Sequence, residues 1–323
     1  MEIINNPHDK LFKKTFSDIK IARDFLSNYL PGEIVNKIDL NNIQIVKDSF
    51  IEENLQETFS DILYKTSVNN QDAYIYILFE HKSYPYKLIT IQFLKYIINI
   101  WELLIKQKDI KNDNLPIILP ILIYHGQKEW NIGLNLADIL NDIPEGWEKY
   151  IPDFRYILYD LSVYSDADIK GGIELRIFLE IAIHVFREDF NDRFIKWITL
   201  LDELGEKETG IEYIRTVIRY ILSVKEDISL QDLISSARKV SPERSEEIMT
   251  IAEQLKKEGR EEGIKEGFLK GIETALEVKY GKEALSLLDD IKKIQEIDKL
   301  EEIMDYIKQK NNFHEFKEII FKH

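Results

Sequence analysis

Two strand-like runs joined by a short turn constrain this chain more than any other feature. The first run spans residues 61–68, and the second, residues 73–82, is almost wholly apolar until its last three positions. The tetrapeptide Asn-Asn-Gln-Asp between them has the composition of a turn. The sequence therefore predicts a β-hairpin. Because its second strand is apolar on both faces, we expect it to be a central strand of a larger sheet.

Acidic residues lie at the open end of both predicted strands. A hairpin centred between Asn70 and Gln71 places Asp61 directly opposite Glu80, with Cβ atoms about 5 Å apart. Lys82 shares the face of Glu80, since strand side chains alternate. Two facing carboxylates beside a lysine can hold a divalent cation and act on a phosphate. The alternative is a structural salt bridge between Lys82 and one of the two acids.

A long amphipathic helix is predicted directly after the hairpin. Apolar residues recur at helical spacing between Leu88 and Lys106. Gln92 and Tyr96 are four residues apart and therefore share a face of this helix. Alone, such a pair is typical of a half-buried polar contact. Here the pair follows a strand that ends in Glu80 and Lys82, and we therefore regard Gln92 and Tyr96 as candidate members of the site that those residues form with Asp61.

The order of these motifs is similar to that of the PD-(D/E)xK nuclease superfamily. Asp61, Glu80-His81-Lys82 and Gln92-x-x-x-Tyr96 resemble its subgroup with a Gln-x-x-x-Tyr motif. Further stretches resemble one bacterial family, the Rpn recombination-promoting nucleases and transposase-like proteins. These stretches are 7–16, 28–31, 60–64, 79–83, 120–126, 159–161 and 258–263. Ser60 stands where the superfamily has proline, at a position that shapes the turn and holds no metal.

The resemblance implies an α/β fold: a restriction-endonuclease-like αβββαβ core with its sheet flanked by helices, followed by an all-helical C-terminal region. It implies a Mg²⁺-dependent endonuclease that hydrolyses phosphodiester bonds of DNA, with Mn²⁺ as a substitute, in recombination, transposition or defence against foreign DNA. No organic cofactor is expected. The rival hypothesis is a catalytically weak or inactive nuclease fold that acts as an interaction module through its helical tail.

The resemblance also implies roles for individual residues. Carried over by position, Asp61 and Glu80 would bind the metal together with the backbone carbonyl of His81. Lys82 would orient or activate the attacking water. The remaining residues would be Gln92 and Tyr96, which would support the site and the DNA backbone, and Asp9 on the first helix, which would be a further acidic ligand.

Composition narrows the chemistry and the compartment. The chain has no cysteine, which excludes disulfides, thiolate zinc sites and cysteine nucleophiles and suits a reducing cytoplasm. No secretory leader and no apolar run of about 20 residues is apparent, so we expect a cytoplasmic protein without a membrane span. The net charge of −15 argues against a protein that coats DNA. We therefore expect weak, salt-sensitive DNA binding through local lysines.

Three regions are predicted along the chain. Residues 1–165 would form the nuclease core, with a first helix over 8–29, strands at 43–50, 117–124 and 154–160, and the hairpin. Residues 166–245 would be a helical extension packed on that core. Residues 246–323 would be a helical interaction region. Of the single residues outside the motifs, His184 is predicted to be a core histidine, His125 to line the sheet's rim, and Asp160 to cap a strand end.

Glycines recur every four residues in the tail, at Gly259, Gly263, Gly267 and Gly271. Each glycine costs a helix about 1 kcal/mol relative to alanine, so a frayed linker is one interpretation. An adjacent apolar row favours the other interpretation, a helix that approaches a second helix closely. The second helix would belong to another copy of the chain, giving a homo-oligomer, or to the body of the same chain. The apolar row consists of Ile264, Phe268, Ile272 and Leu276.

Overall fold

The computed structural model describes residues 7–46, 60–81, 84–107, 114–203, 208–225, 228–240, 242–309 and 313. Two compact units are present, one within Asn5–Ser245 and one within Glu246–His323. The larger unit is a mixed α/β structure, and the smaller one is helical. No helix among the described residues combines the length and apolarity needed to cross a bilayer.

A five-stranded sheet lies at the centre of the larger unit. Its strands follow chain order, so that each strand is hydrogen-bonded to the next one. The first three strands are antiparallel, whereas β4 runs parallel to both β3 and β5. β3 is central, and its eight residues from Ala73 to Glu80 are all buried. The strands are β1 Gln44–Ile45, β2 Ser60–Val68, β3 Gln71–Glu80, β4 Ile117–Tyr124 and β5 Ile157–Asp160.

Helices cover both faces of this sheet. Tyr74, Tyr76 and Leu78 form one core cluster with the helix that follows β3. On the opposite face the ring of Phe79 stacks on Phe12 of the first helix, with ring centroids 4.6 Å apart. The helices are α1 Pro7–Phe16, α2 Ile19–Tyr29, α3 Gly32–Val35, α4 Ile89–Gln107, α5 Ile173–His184, α6 Phe194–Glu203, α7 Glu208–Val224 and α8 Leu230–Val240.

Three predicted elements differ from the structure. The single helix expected over 8–29 is two helices, because Asp18 caps α2 by accepting a 2.7 Å hydrogen bond from the Lys20 backbone N–H. The strand expected over 43–50 is described only as Gln44–Ile45, and residues 47–50 lie outside the described part of the chain. The last strand begins at Ile157 instead of residue 154.

The register of the hairpin corrects the expected pairing. Val68 pairs with Gln71, so the two turn residues are Asn69 and Asn70, with φ angles of 52° and 64°. Two successive positive φ angles are the signature of a type I′ turn. The expected pairing of Asp61 with Glu80 is therefore wrong, and Asp61 lies opposite Leu78. A shift of two residues leaves each side chain on its predicted face.

Glycine at the second turn position is expected to stabilise the protein. Asn70 has a left-handed backbone with φ of 64°, and Asn-Gly is the preferred sequence of a type I′ turn. Asn70→Gly should raise the free energy of unfolding by about 0.5 kcal/mol in urea titrations, whereas Asn70→Ala should lower it by about 1 kcal/mol. Equal stability of the two variants would show that the turn imposes no left-handed strain.

The smaller unit contains all but the first turn of a 39-residue helix, α9 Pro242–Tyr280, followed by α10 Leu288–Ile291 and α11 Ile297–Gln309. The frayed-linker interpretation is wrong, since α9 runs through all four spaced glycines. Gly271 allows a close helix contact, because a Cβ there would lie 2.9 Å from the Met304 methyl group. A Cβ at Gly259, Gly263 or Gly267 would meet no described atom within 4 Å.

Candidate functional site

Asp61 and Glu80 share one face of the sheet, the face covered by α4. Leu78 lies opposite Asp61, and Glu80 follows Leu78 by two residues, so the three side chains project to the same side. The Asp61 carboxylate accepts a 2.7 Å hydrogen bond from the Tyr76 hydroxyl. Glu80 is only 3% exposed. The structure thus brings the two predicted acids to one side of the hairpin, two residues out of the expected alignment.

Tyr76 links Asp61 to the predicted residues of α4. Its ring lies 4.9 Å from the ring of Tyr96, measured between centroids. Burial, and next the charge of Asp61, raise the pKa of Tyr76 well above its ordinary value, and the same two causes raise the pKa of Tyr96 to about 12. Both hydroxyls therefore keep their protons at neutral pH. Gln92, one turn before Tyr96, is half-buried on the same helix.

Sequence reasoning missed Tyr76 as part of this site. The sequence did contain a signal for Tyr76. Residues 76, 78 and 80 are two positions apart along one strand, so Tyr76 shares a face with Glu80. Tyr76 lies within the run that the sequence pattern presents as an apolar, buried strand. Its hydroxyl needs a partner in that position, and Asp61 supplies it.

Glu80, Tyr124 and Asp160 form a row across β3, β4 and β5, as the pairing of these strands shows. Burial, then Asp160 and Glu80, raise the pKa of Tyr124 to about 12. Asp160 accepts hydrogen bonds from the Trp130 backbone N–H at 2.7 Å and from the Ser162 hydroxyl at 2.6 Å. The prediction that Asp160 caps a strand end is thus confirmed.

His81 faces the opposite side of the sheet, toward α1. Its ring Nδ1 lies 3.3 Å from a carboxylate oxygen of Asp9, and its ring stacks on His8 at 5.3 Å between centroids. His8 is also hydrogen-bonded through Nδ1 to the hydroxyl of Tyr220 at 2.9 Å. His125, predicted to line the rim, is 2% exposed. Asp9 therefore lies beside the ring of His81, the residue whose carbonyl was the predicted third ligand.

Two of these imidazoles are neutral at pH 7. Burial is the main reason that the pKa of His8 falls to about 4, and neighbouring His81 lowers it further. Burial likewise holds the pKa of His125 well below its ordinary value. Among the described residues, His8 and His125 therefore contribute two neutral aromatic rings to the α1 side of the hairpin end.

The available ligand atoms fit a hard divalent cation. Asp61 and Glu80 offer carboxylate oxygens, and His81 directly after Glu80 offers a backbone carbonyl. Mg²⁺ takes oxygen ligands and usually retains several waters, so it needs few protein ligands. Lys82, the predicted water-orienting residue, lies outside the described residues.

A second acidic cluster was not predicted; it joins Asp166, which precedes α5, to Glu180 and His184 on α5. Asp166, Glu180 and His184 place their ligand-type atoms within 4.8 Å of one another. Cations of the protein already occupy this cluster: Lys196 pairs with both carboxylates, and Arg193 lies 2.6 Å from Asp166. The hydrogen bond from Arg193 holds the pKa of Asp166 below its usual range. We therefore interpret this cluster as an ion-pair network and not as a metal site.

His184 belongs to the same network. It is 1% exposed, as predicted for a core histidine, and its Nδ1 lies 3.1 Å from Asp189. The i, i+4 spacing of Glu180 and His184 on one helix was the available sequence signal. Without the positions of Asp166 and Lys196 that spacing has no meaning, because both come from other elements.

The larger unit is thus a mixed α/β domain that carries two acidic side chains on one face at one end of its central hairpin. The chain belongs to the family described as "Putative transposase, YhgA-like", whose sequence profile matches residues 6–212. This confirms the predicted resemblance to the Rpn proteins. No solved structure matches the chain.

Three Rpn proteins show the extent of the similarity. The chain is 29% identical over 258 residues to recombination-promoting nuclease RpnA of Escherichia coli K12, covering 80% of this chain and 86% of RpnA. It is 28% identical over 264 residues to the inactive recombination-promoting nuclease-like protein RpnE of the same strain, covering 81% and 86%. It is 27% identical over 257 residues to recombination-promoting nuclease RpnD of Escherichia coli O157:H7, covering 78% and 94%.

Proposed function

We propose that this protein is a metal-dependent DNA endonuclease that acts in recombination, transposition or defence. The observation that carries the proposal is the shared sheet face of Asp61 and Glu80, with Asp61 held by the hydroxyl of Tyr76 at 2.7 Å. The names of RpnA and RpnD as recombination-promoting nucleases support the same activity. In this proposal the enzyme is a cytoplasmic protein that uses Mg²⁺, with Mn²⁺ as a substitute.

The proposed core is restriction-endonuclease-like and occupies residues 1–165. The described order of α1, β1, β2, β3, α4 and β4, with α2 and α3 inserted after α1, supports an αβββαβ arrangement. Residues 166–245 form the proposed helical extension of this core. Residues 246–323 form the proposed interaction region, in which the open glycine positions of α9 contact another copy of the chain.

Each site residue has a distinct task in the proposed reaction. Asp61, Glu80 and the carbonyl of His81 would hold Mg²⁺, which when bound polarises a phosphoryl oxygen and lowers the pKa of a bound water. Tyr76 fixes the Asp61 carboxylate through its hydrogen bond. Lys82 would orient the attacking water and offset charge at phosphorus.

The supporting residues act around this centre. Tyr96 packs on Tyr76 and so limits its movement. Gln92, on the same helix, would contact the DNA backbone. Asp9, expected as a further acidic ligand, lies beside the ring of His81, so we propose that it fixes the orientation of that residue instead of binding the metal.

The second candidate function is an inactive nuclease fold used for interactions. The similarity to RpnE, a protein named inactive, favours it. The position of Glu80 argues against this second function, because its side chain is only 3% exposed and lies on the face that carries Asp61. A metal site requires acidic side chains on one face in this way, whereas binding a partner through the helical tail does not.

Divalent metal is expected to stabilise the wild-type protein. A ligand that binds only the folded state adds RT ln(1 + [L]/Kd), about 2.7 kcal/mol at one hundred times Kd. Saturating Mg²⁺ or Mn²⁺ should therefore raise Tm by several degrees in differential scanning fluorimetry. Asp61→Asn should remove most of this rise, because it removes a charged ligand but keeps an acceptor for Tyr76.

The matched control is Glu266→Gln, which alters an exposed carboxylate that pairs with Lys270 on α9. It should keep the full metal response. A wild-type protein whose Tm ignores both metals, or an Asp61→Asn protein that responds fully, would contradict metal binding at this site.

A further inference from the structure

The outer face of α4 carries an apolar seam that the described residues of the larger unit leave partly exposed. Its residues follow the alternating three- and four-residue spacing of a heptad seam, and its members are Ile91, Leu94, Ile98, Trp101 and Ile105. Ile91, Ile98 and Ile105 are 44%, 41% and 54% exposed. The opposite face of α4 is buried in the core. A helix that is apolar on both faces is normally covered on both.

The apolar surface continues beyond the helix. The Trp101 indole N–H donates a 2.9 Å hydrogen bond to the carbonyl of Pro116, which fixes the ring against the start of β4. Leu115 and Ile117, on either side of Pro116, are 45% and 62% exposed. The seam and these two residues form a patch of several large apolar side chains, which is typical of a protein–protein interface.

Charges beside the seam indicate which partner fits it. Lys95 and Glu102 are both exposed and lie seven residues apart along one flank of the seam. In an antiparallel pairing of two α4 helices around Ile98, Ile91 lies near Ile105 of the other copy. The same pairing places Lys95 near Glu102 of the other copy, twice by symmetry. A parallel pairing would instead place the charged flanks of the two copies on opposite sides of the seam, so that no contact between Lys95 and Glu102 of different copies would form.

We propose that this seam binds the same seam of a second copy of the chain, as an antiparallel two-fold dimer. Two-fold interfaces use the same patch on both subunits, and one patch here supplies both the apolar contacts and the complementary charges. This interface is separate from the glycine positions of α9. It does not depend on nuclease activity.

Cysteine cross-linking gives the first test, since the chain contains no cysteine. Ile98 lies at the two-fold axis of the proposed dimer, so Ile98→Cys should form a disulfide-linked dimer under mild oxidation in non-reducing gels. The control is Val163→Cys, at a position 55% exposed in the larger unit and outside both α4 and α9. It should cross-link far less at the same protein concentration. Equal cross-linking of both variants would overturn the proposal.

Charge exchange gives the second test, by sedimentation of the full chain. Lys95→Glu and Glu102→Lys should each weaken dimerisation by about tenfold, because each creates two like-charge contacts. The double variant should regain wild-type affinity. A monomeric wild type would overturn the proposal, as would dimerisation that all three variants leave unchanged. If dimerisation were lost only in the Gly263→Leu/Gly267→Leu variant, the contact would belong to α9, and the proposed α4 interface would likewise be overturned.

Discussion

Asp61→Asn and Glu80→Gln should each lower Mg²⁺-dependent DNA nicking by roughly a thousandfold. Loss of one preorganised electrostatic group at a phosphoryl-transfer site commonly costs on the order of a hundred- to a thousandfold in rate. Each substitution keeps the shape of the side chain and removes one negative charge. In the Asp61→Asn protein the new side-chain amide oxygen would still accept the hydrogen bond from Tyr76, so the local geometry is expected to persist.

The measurement is conversion of supercoiled plasmid to the nicked form, with circular dichroism melting curves on the same preparations. Asp153→Asn is the control, because Asp153 is an exposed carboxylate in the same unit and should leave the rate unchanged. Both site variants should melt no lower than the wild type in metal-free buffer, since each removes a charge from an acidic site. Wild-type nicking by either variant would remove that residue from the proposed mechanism.

Lys196→Met should lower the free energy of unfolding by about 3 kcal/mol. Removing one partner of a buried ion pair typically costs about 3–5 kcal/mol, because the other charge stays buried. Glu180 is 3% exposed, and Lys196 is one of its cationic partners. Arg193 lies 3.7 Å from Glu180 in the wild type and should still neutralise part of its charge in the variant, which places the expected cost at the lower end of that range.

The matched control is Lys270→Met, which breaks an ion pair with Glu266 whose side chains are 74% and 59% exposed. Exposed pairs contribute at most about 1 kcal/mol, so this variant should unfold almost like the wild type in urea. Equal stability of the two variants would show that Glu180 gains nothing from Lys196. If added Mg²⁺ returned the stability of the Lys196→Met protein to the wild-type value, the Asp166–Glu180–His184 cluster would be a metal site. That result would contradict our interpretation of the cluster as an ion-pair network.

The sequence was sufficient to predict the sheet face of the acidic residues but not their alignment. The alternation of strand side chains placed Asp61 and Glu80 on one face, and a two-residue change of register preserves that placement. The alignment depended on which two residues form the turn. Asn69, Asn70 and Gln71 all suit a turn by composition, and only the backbone angles show that Asn69 and Asn70 occupy it.

Side-chain contacts between elements distant in the chain could not be predicted from the sequence. Tyr76 and Asp61 meet across two strands, and Asp9 meets His81 across a helix and a strand. The α5 network joins Asp166 to Lys196 from another helix. Periodicity fixes the face of a residue within its own element, but it contains no information about which side chains of other elements will face it.

The most direct test of the central claim is nicking of supercoiled plasmid by the wild-type protein. Reactions would contain Mg²⁺, Mn²⁺ or EDTA, with the Lys82→Ala protein alongside to exclude a contaminating nuclease. We predict nicking by the wild type with either metal, none with EDTA, and none by the Lys82→Ala protein. Nicking that persists in EDTA, or a wild-type protein inert with both metals, would contradict a metal-dependent nuclease.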